Sequence, residues 1–277
     1  MKKTVIFSLL LATFSILFLD SCNKNKKEVD NETQSVVDNA ICEQQFIAIQ
    51  PVVNQKGINQ AGIKKVNACD TWVILGAMGG TNTPNPAADT ITDATGTYVN
   101  GPVTFQIDYG TVGCAGIDGI PRTGKIDITL AKRWSKLNNT ATIVLNGYKY
   151  GNVSYSGTVT VSRPDSLTLT STITNGHCTD GTWNIDYSGT KTIVKTAGLD
   201  QYSITGSSSG KNREGRNFST NIISPLVKKG SCKFITSGVL ELTPDGFKTR
   251  TVDFGNGNCD DQATFTVNGQ TVTFTMK

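Results

Sequence analysis

Ala263-Thr264-Phe265-Thr266-Val267-Asn268-Gly269-Gln270-Thr271-Val272-Thr273-Phe274 alternates apolar and polar side chains on both sides of an Asn-Gly pair. Asn-Gly supplies the two left-handed residues that a type I′ turn needs, which sets Val267 opposite Gln270, Phe265 opposite Val272 and Ala263 opposite Phe274. Thr266 and Thr264 then face Thr271 and Thr273 on the other side. Moving the turn by one residue would mix the two faces. The stretch therefore predicts an antiparallel hairpin with one apolar and one hydroxyl-lined face.

Working outward, the same pattern recurs. Thr243-Pro244-Asp245-Gly246 reads as a turn that places Leu242 opposite Phe247 and Glu241 opposite Lys248. Short alternating runs occur at 103–108, 125–130, 142–145, 154–161, 167–173, 183–187, 191–194, 202–205 and 218–223, separated by Gly, Asn and Asp. Trp72-Val73-Ile74-Leu75 reads as a buried strand, and 79–100, rich in Gly, Asn, Thr and Pro, as a loop. No amphipathic helix separates the strands, so the connections are hairpins or meanders. The expected fold is all-β, built of antiparallel meander sheets forming either a sandwich or an open curved sheet.

A motif repeats within this frame. Asp108-Tyr109-Gly110 leads to Cys114, and Asp253-Phe254-Gly255 leads to Cys259. Each is preceded by a cysteine with an aromatic close behind, Cys69 with Trp72 and Cys232 with Phe234. The repeat suggests two similar halves, about 42–165 and 166–277. Its layout favours disulfides Cys69–Cys114 and Cys232–Cys259, and leaves Cys42 with Cys178. By loop-closure entropy each bridge contributes about 3–4 kcal/mol.

The first residues fix an expected destination. Lys2 and Lys3 precede an apolar run that closes at Leu19-Asp20-Ser21-Cys22, so 1–22 reads as a signal peptide. The closing tetrapeptide resembles a bacterial lipobox, in which the cysteine, here Cys22, becomes the lipidated first residue. Residues 23–41 are polar and mixed in charge and read as a flexible tether; 42–66 fits a strand or a short helix. From 42 to 277 a β-rich domain follows. With 26 basic against 22 acidic residues, spread along the chain, no basic stripe points to nucleic acid.

Taken together, Asp108-Tyr109-Gly110, Gly113 to Gly119, Arg122, Gly124-Lys125-Ile126, Ile204-Thr205-Gly206, Asn212-Arg213-Glu214-Gly215, and Asp253 through Asp260 resemble a group of lipoproteins of the Bacteroidota to which no activity is assigned. The resemblance covers most of the chain after Cys69. It implies an outer-membrane lipoprotein of the cell envelope. The basic start after Cys22, Asn23-Lys24-Asn25-Lys26-Lys27, favours the periplasmic face over the acidic start common among surface-exposed members.

Few residues carry chemistry. His177 is the one histidine, in Asn175-Gly176-His177-Cys178, and reads as an exposed turn residue rather than a catalytic base. No Cys-x-x-Cys occurs, so zinc is not indicated. Asp253, Asn256, Asn258, Asp260 and Asp261 offer clustered oxygens that calcium could use, but a tight crosslinked turn needs the same residues. Asp108, Asp118 and Asp253 are candidates for carboxylate hydrolysis, yet an Asp before an aromatic and Gly in both copies reads as a turn cap. Asp118 and Arg122 form an expected loop-bracing pair that could contact a sugar or anion, and Trp134 is the tryptophan expected to be exposed. No cofactor is expected. The membrane is a partner through Cys22, and a glycan or envelope protein is the further one. The sequence therefore leans away from an enzyme, towards a module binding glycan, lipid or protein. The alternatives are a purely structural lipoprotein or an Asp-dependent hydrolase.

Overall fold

The computed structural model describes residues 30–58, 71–81, 90–92, 98–115, 119–131 and 137–276. Alternating burial is the physical signature of the whole strand region. On β6 (Asn139–Tyr150) every second side chain from Ala141 to Leu145 is out of solvent and its neighbours are exposed. One helix, α1 (Gln34–Ile58), precedes β1 (Thr71–Thr81), β2 (Thr90–Thr92), β3 (Tyr98–Asp108), β4 (Cys114–Ala115) and β5 (Pro121–Leu130). After β6 come β7 (Val153–Arg163), β8 (Thr168–Thr179), β9 (Asn184–Lys195), β10 (Gln201–Lys211) and β11 (Asn217–Lys229). The chain ends with β12 (Ile235–Pro244), β13 (Arg250–Asn256), β14 (Gln262–Val267) and β15 (Gln270–Thr275).

The main path runs in chain order from β1 and β3 through β5 to β15, every pair antiparallel, with β2 on β3 and β4 on β5. Of the two expected architectures, the structure is the single open sheet. No boundary divides it near residue 165, because β7 and β8 pair from Ser154–Thr179 to Ser162–Thr170. Residues 32–277 form one compact unit.

The last hairpin has the register its sequence dictates: Val267 pairs with Gln270, Phe265 with Val272 and Ala263 with Phe274, and Asn268 and Gly269 both have positive φ. The preceding hairpin differs. Glu241 faces Thr251 and Leu242 faces Arg250, so Phe247 and Lys248 lie in a wider loop. Pro244 stays in β12 because it pairs with Phe218 of β11, and the Asp245 N–H donates to the Asn217 carbonyl. A neighbouring strand thus overrides the local turn. Likewise 183–187 and 191–194 belong to one strand from Asn184, and 79–100 contributes residues to β1, β2 and β3.

The inner face starts apolar and turns polar. The register carries Phe105, Ile128, Ile143, Val159 and Ile173 side by side, all buried. It continues through Gly189 to Ser208, Thr220, Leu242 and Arg250. The polar end receives α1.

That helix corrects the expected tether and decides between strand and helix for 42–58. Residues 34–41 are helical and packed rather than tethering, and 42–58 continue the helix. Its start is capped locally: the Thr33 carbonyl accepts from Val36 and Val37, and Glu32 Oε1 accepts from the Ser35 N–H at 2.8 Å. From Asp38 to Ile47 every residue is buried. A flat surface shields only one side of a helix, so α1 is enclosed rather than laid on the sheet. Among the described residues no helix is long and apolar enough to cross a membrane.

Candidate functional site

The enclosed helix carries buried polar side chains, and several of them meet partners along the sheet and its β10–β11 turn. Glu32 lies under Arg250 of β13, whose Nη2 donates to the Glu32 carbonyl at 2.8 Å and stands 3.5 Å from its carboxylate. Ser35 and Glu32 both accept from Asn212 Nδ2, at 3.0 and 3.3 Å. Asp38 binds Arg213, which also stacks 4.4 Å over the Trp183 ring. Glu43 meets Lys191 of β9 at 2.7 Å, Tyr187 at 2.5 Å and Ser208 at 3.4 Å. Gln45 reaches the Tyr148 hydroxyl of β6 at 2.9 Å. The helix thus crosses the strands, from β13 at its start to β6.

Two features clamp it. Cys42 is disulfide-bonded to Cys178 of β8, and both are fully buried. Phe46 stacks on Tyr187 with ring centroids 5.4 Å apart and meets Tyr155 edge-on at 6.1 Å. Burial, and next the Glu43 carboxylate, raises the Tyr187 hydroxyl well above its ordinary pKa, so it remains a hydrogen-bond donor. Tyr155 is shifted the same way, by burial first.

The outer face is a different surface. One residue away from the inner row, Thr104, Thr129, Thr142, Thr160, Thr172 and Thr190 stand side by side from β3 to β9. The same row continues as Ser207, Asn221, Glu241, Thr251, Thr266 and Thr271 to the edge strand. Neighbours within it bond to one another, Thr104 with Thr129 at 2.7 Å and Thr266 with Thr271 at 2.9 Å. A parallel row, Thr140, Ser162, Thr170, Thr192 and Thr205, lies beside it from β6 to β10. Strand spacing places successive hydroxyls about 4.8 Å apart across the sheet.

The repeated motif is a repeated turn. Asp108 Oδ1 and Asp253 Oδ1 each accept from the N–H two residues on, Gly110 and Gly255, at 2.8 Å. The intervening aromatics, Tyr109 and Phe254, are buried. The clustered oxygens considered for calcium are spent similarly: Asn256 accepts from Asn258, Asp260 from the Gln262 N–H, and Asp261 from Gln262 Nε2. Among the described residues no three His, Cys, Asp or Glu side chains gather as a metal would require.

Other sequence-derived residues separate. Cys232 is bonded to Cys259. Cys114 is disulfide-bonded. Cys22, Cys69, Asp118 and Trp134 lie outside the described residues. Arg122 donates to the Ile120 carbonyl at 3.0 Å and sits 4.9 Å over the Tyr150 ring. His177 is not in a turn; it pairs across strands with Asp186, Nδ1 to Oδ1 at 2.9 Å, with Nε2 3.2 Å from Asn184.

Glu32, Asp38, Glu43, Lys191, Arg213 and Arg250 escape sequence reading because they are charged residues in a polar segment, in alternating strands and, for Arg213, in a turn. Cys42 was the available signal: a crosslinking cysteine implies that its segment packs against the body. Comparison with family models, curated proteins and solved structures yields no match.

Proposed function

We propose that this chain is a non-enzymatic, lipid-anchored module of the cell envelope whose outer sheet face binds a neutral glycan. The observation that carries the reading is the pair of adjacent hydroxyl rows running across β6 to β10. Each threonine there presents a hydroxyl beside a methyl group, the combination that meets a sugar's hydroxyls and C–H faces. Charge is nearly absent from the rows, Glu241 being the exception, which suits an uncharged polymer better than an acidic one. Between β6 and β13 the inner face is already taken by α1, so there the outer face is the broad surface left to a partner.

Cosedimentation with insoluble neutral polysaccharides and with purified peptidoglycan tests this. The protein is expected to pellet with a neutral glycan. The triple substitution Thr160→Lys, Thr172→Lys and Thr190→Lys is expected to weaken that binding at least ~10-fold, with the melting temperature kept within a few degrees. A wild-type protein that pellets with no glycan, and crosslinks to envelope proteins instead, establishes the structural-lipoprotein reading. Protease shaving of intact against lysed cells tests the periplasmic orientation, for which protection until lysis is expected.

A further inference from the structure

Three ion pairs hold α1 and Glu32, just ahead of it, to the strands and the β10–β11 turn, and one differs in kind. Arg213 and Arg250 carry guanidinium groups that stay protonated and are not nucleophiles. Lys191 carries an amine. Its Nζ lies 2.7 Å from Glu43 Oε1, with both side chains fully out of solvent. Elsewhere among the described residues the lysine–carboxylate pair Lys125–Asp108 is solvent-exposed.

The contact is close but badly aligned for a hydrogen bond: neither Lys191 Nζ nor Glu43 Oε1 has a hydrogen-bond partner of acceptable angle. The other carboxylate oxygen is well held. Oε2 accepts from the Tyr187 hydroxyl at 2.5 Å, and from Ser208, which is tied to Thr220 at 2.5 Å. Tyr187 is itself fixed by its stack on Phe46. One oxygen is therefore anchored by donors while the carboxyl's remaining side faces an amine with nowhere else to bond.

We propose that Lys191 and Glu43 join covalently as an intramolecular isopeptide bond that fastens α1 to β9. Away from water, a proton passes from the ammonium to Oε1, which exchanges two buried charges for a neutral amine and a carboxylic acid. The Nζ lone pair attacks Cδ, and negative charge develops on Oε2, where the Tyr187 and Ser208 hydroxyls donate to it. Oε1 departs as water, taking the proton it received and a second one from Nζ. Ammonium plus carboxylate thus become one secondary amide plus one water, with no oxidant, reductant or further reactant. Holding the two groups in contact converts a difficult condensation into an intramolecular one. The product removes both buried charges and leaves an amide whose oxygen keeps the Tyr187 donor.

Mass spectrometry of the reduced, denatured full chain tests this directly. A protein lighter by about 18 Da than the mass calculated for the chain as isolated is expected. Trypsin should then yield a branched peptide joining the segments that contain Glu43 and Lys191. Full mass, with the two residues recovered in separate linear peptides, overturns the proposal. Lys191→Met is expected to abolish the deficit; a deficit that survives that substitution places the water loss elsewhere and also overturns it. Tyr187→Phe is expected to lower the crosslinked fraction in freshly made protein, and an unchanged fraction removes Tyr187 from the reaction.

Discussion

Asp38 on α1 receives three contacts from Arg213 at the start of the β10–β11 turn: the backbone N–H at 2.8 Å, Nε at 2.7 Å and Nη2 at 2.6 Å. The carboxylate is fully buried, while the guanidinium remains partly exposed and stacked on Trp183. Asp38→Ala would leave a backbone donor and a half-buried cation without their acceptor. Removing one partner of such a pair costs about 3–5 kcal/mol. The expected result is a lower urea midpoint and, because Arg213 loses the group that orients it over the indole, an altered Trp183 emission. An unchanged midpoint would mean that the helix does not depend on this anchor.

The two disulfides seen among the described residues should differ in weight. Cys42–Cys178 closes a separation of 136 residues and Cys232–Cys259 one of 27. Loop-closure entropy gives the longer loop the greater effect, roughly 4–5 against about 3 kcal/mol. The double substitution Cys42→Ser with Cys178→Ser should therefore lower the denaturation midpoint more than Cys232→Ser with Cys259→Ser. Equal losses would show that the bond at the buried helix adds nothing beyond local packing.

How far the sequence reveals this fold depends on whether the deciding contact is local. The Asn268-Gly269 hairpin was legible to the residue because a two-residue turn and a period of two determine its register together. Thr243-Pro244-Asp245-Gly246 carried an equally strong turn signal, but β12 already had its length set by β11 through the Pro244–Phe218 pair. The helix was least legible. Glu32, Ser35, Asp38, Glu43 and Gln45 look like part of a solvated segment, and the groups that seat them, from Tyr148 to Arg250, lie 100 or more residues away. The hydroxyl rows were half visible: each strand announced its own threonines, but only the registers align them into a surface.

Gly176 shows how closely the helix is seated. A Cβ there would stand 2.9 Å from the Phe46 ring and 2.5 Å from the Tyr187 carbonyl oxygen. Gly176 itself pairs with Tyr187, directly after the register shift that follows Ile173. Gly176→Ala is therefore expected to displace Phe46 from its stack on Tyr187, costing about 1–3 kcal/mol as overpacking does. Hydrogen exchange should rise in the helix around Phe46 while the β14–β15 hairpin stays protected. Uniform loss of protection across the sheet would instead place the helix within one cooperative unit with every strand.

Asp108 gives a pH dependence whose sign is fixed by its surroundings. The Gly110 N–H holds its carboxyl below the ordinary carboxylate value; burial opposes this less strongly, and the Lys125 ammonium 3.2 Å away adds to the lowering. A depressed folded-state pKa adds stability that is fully present above the unfolded value, near 3.9, and is lost as pH falls through the lower folded value. Asp165 and Asp180, held down by donors in their own turns, act in the same direction, so the whole protein should weaken in acid. Asp108→Asn isolates one share of that effect. Its stability deficit relative to wild type is expected to be full at pH 6 and to shrink as pH falls below about 4, where the wild-type carboxylate also becomes neutral. Chemical denaturation of both proteins at several pH values measures the gap. A gap that stayed constant into strong acid would assign the cost of the substitution to turn geometry and remove the ionised carboxylate from the account.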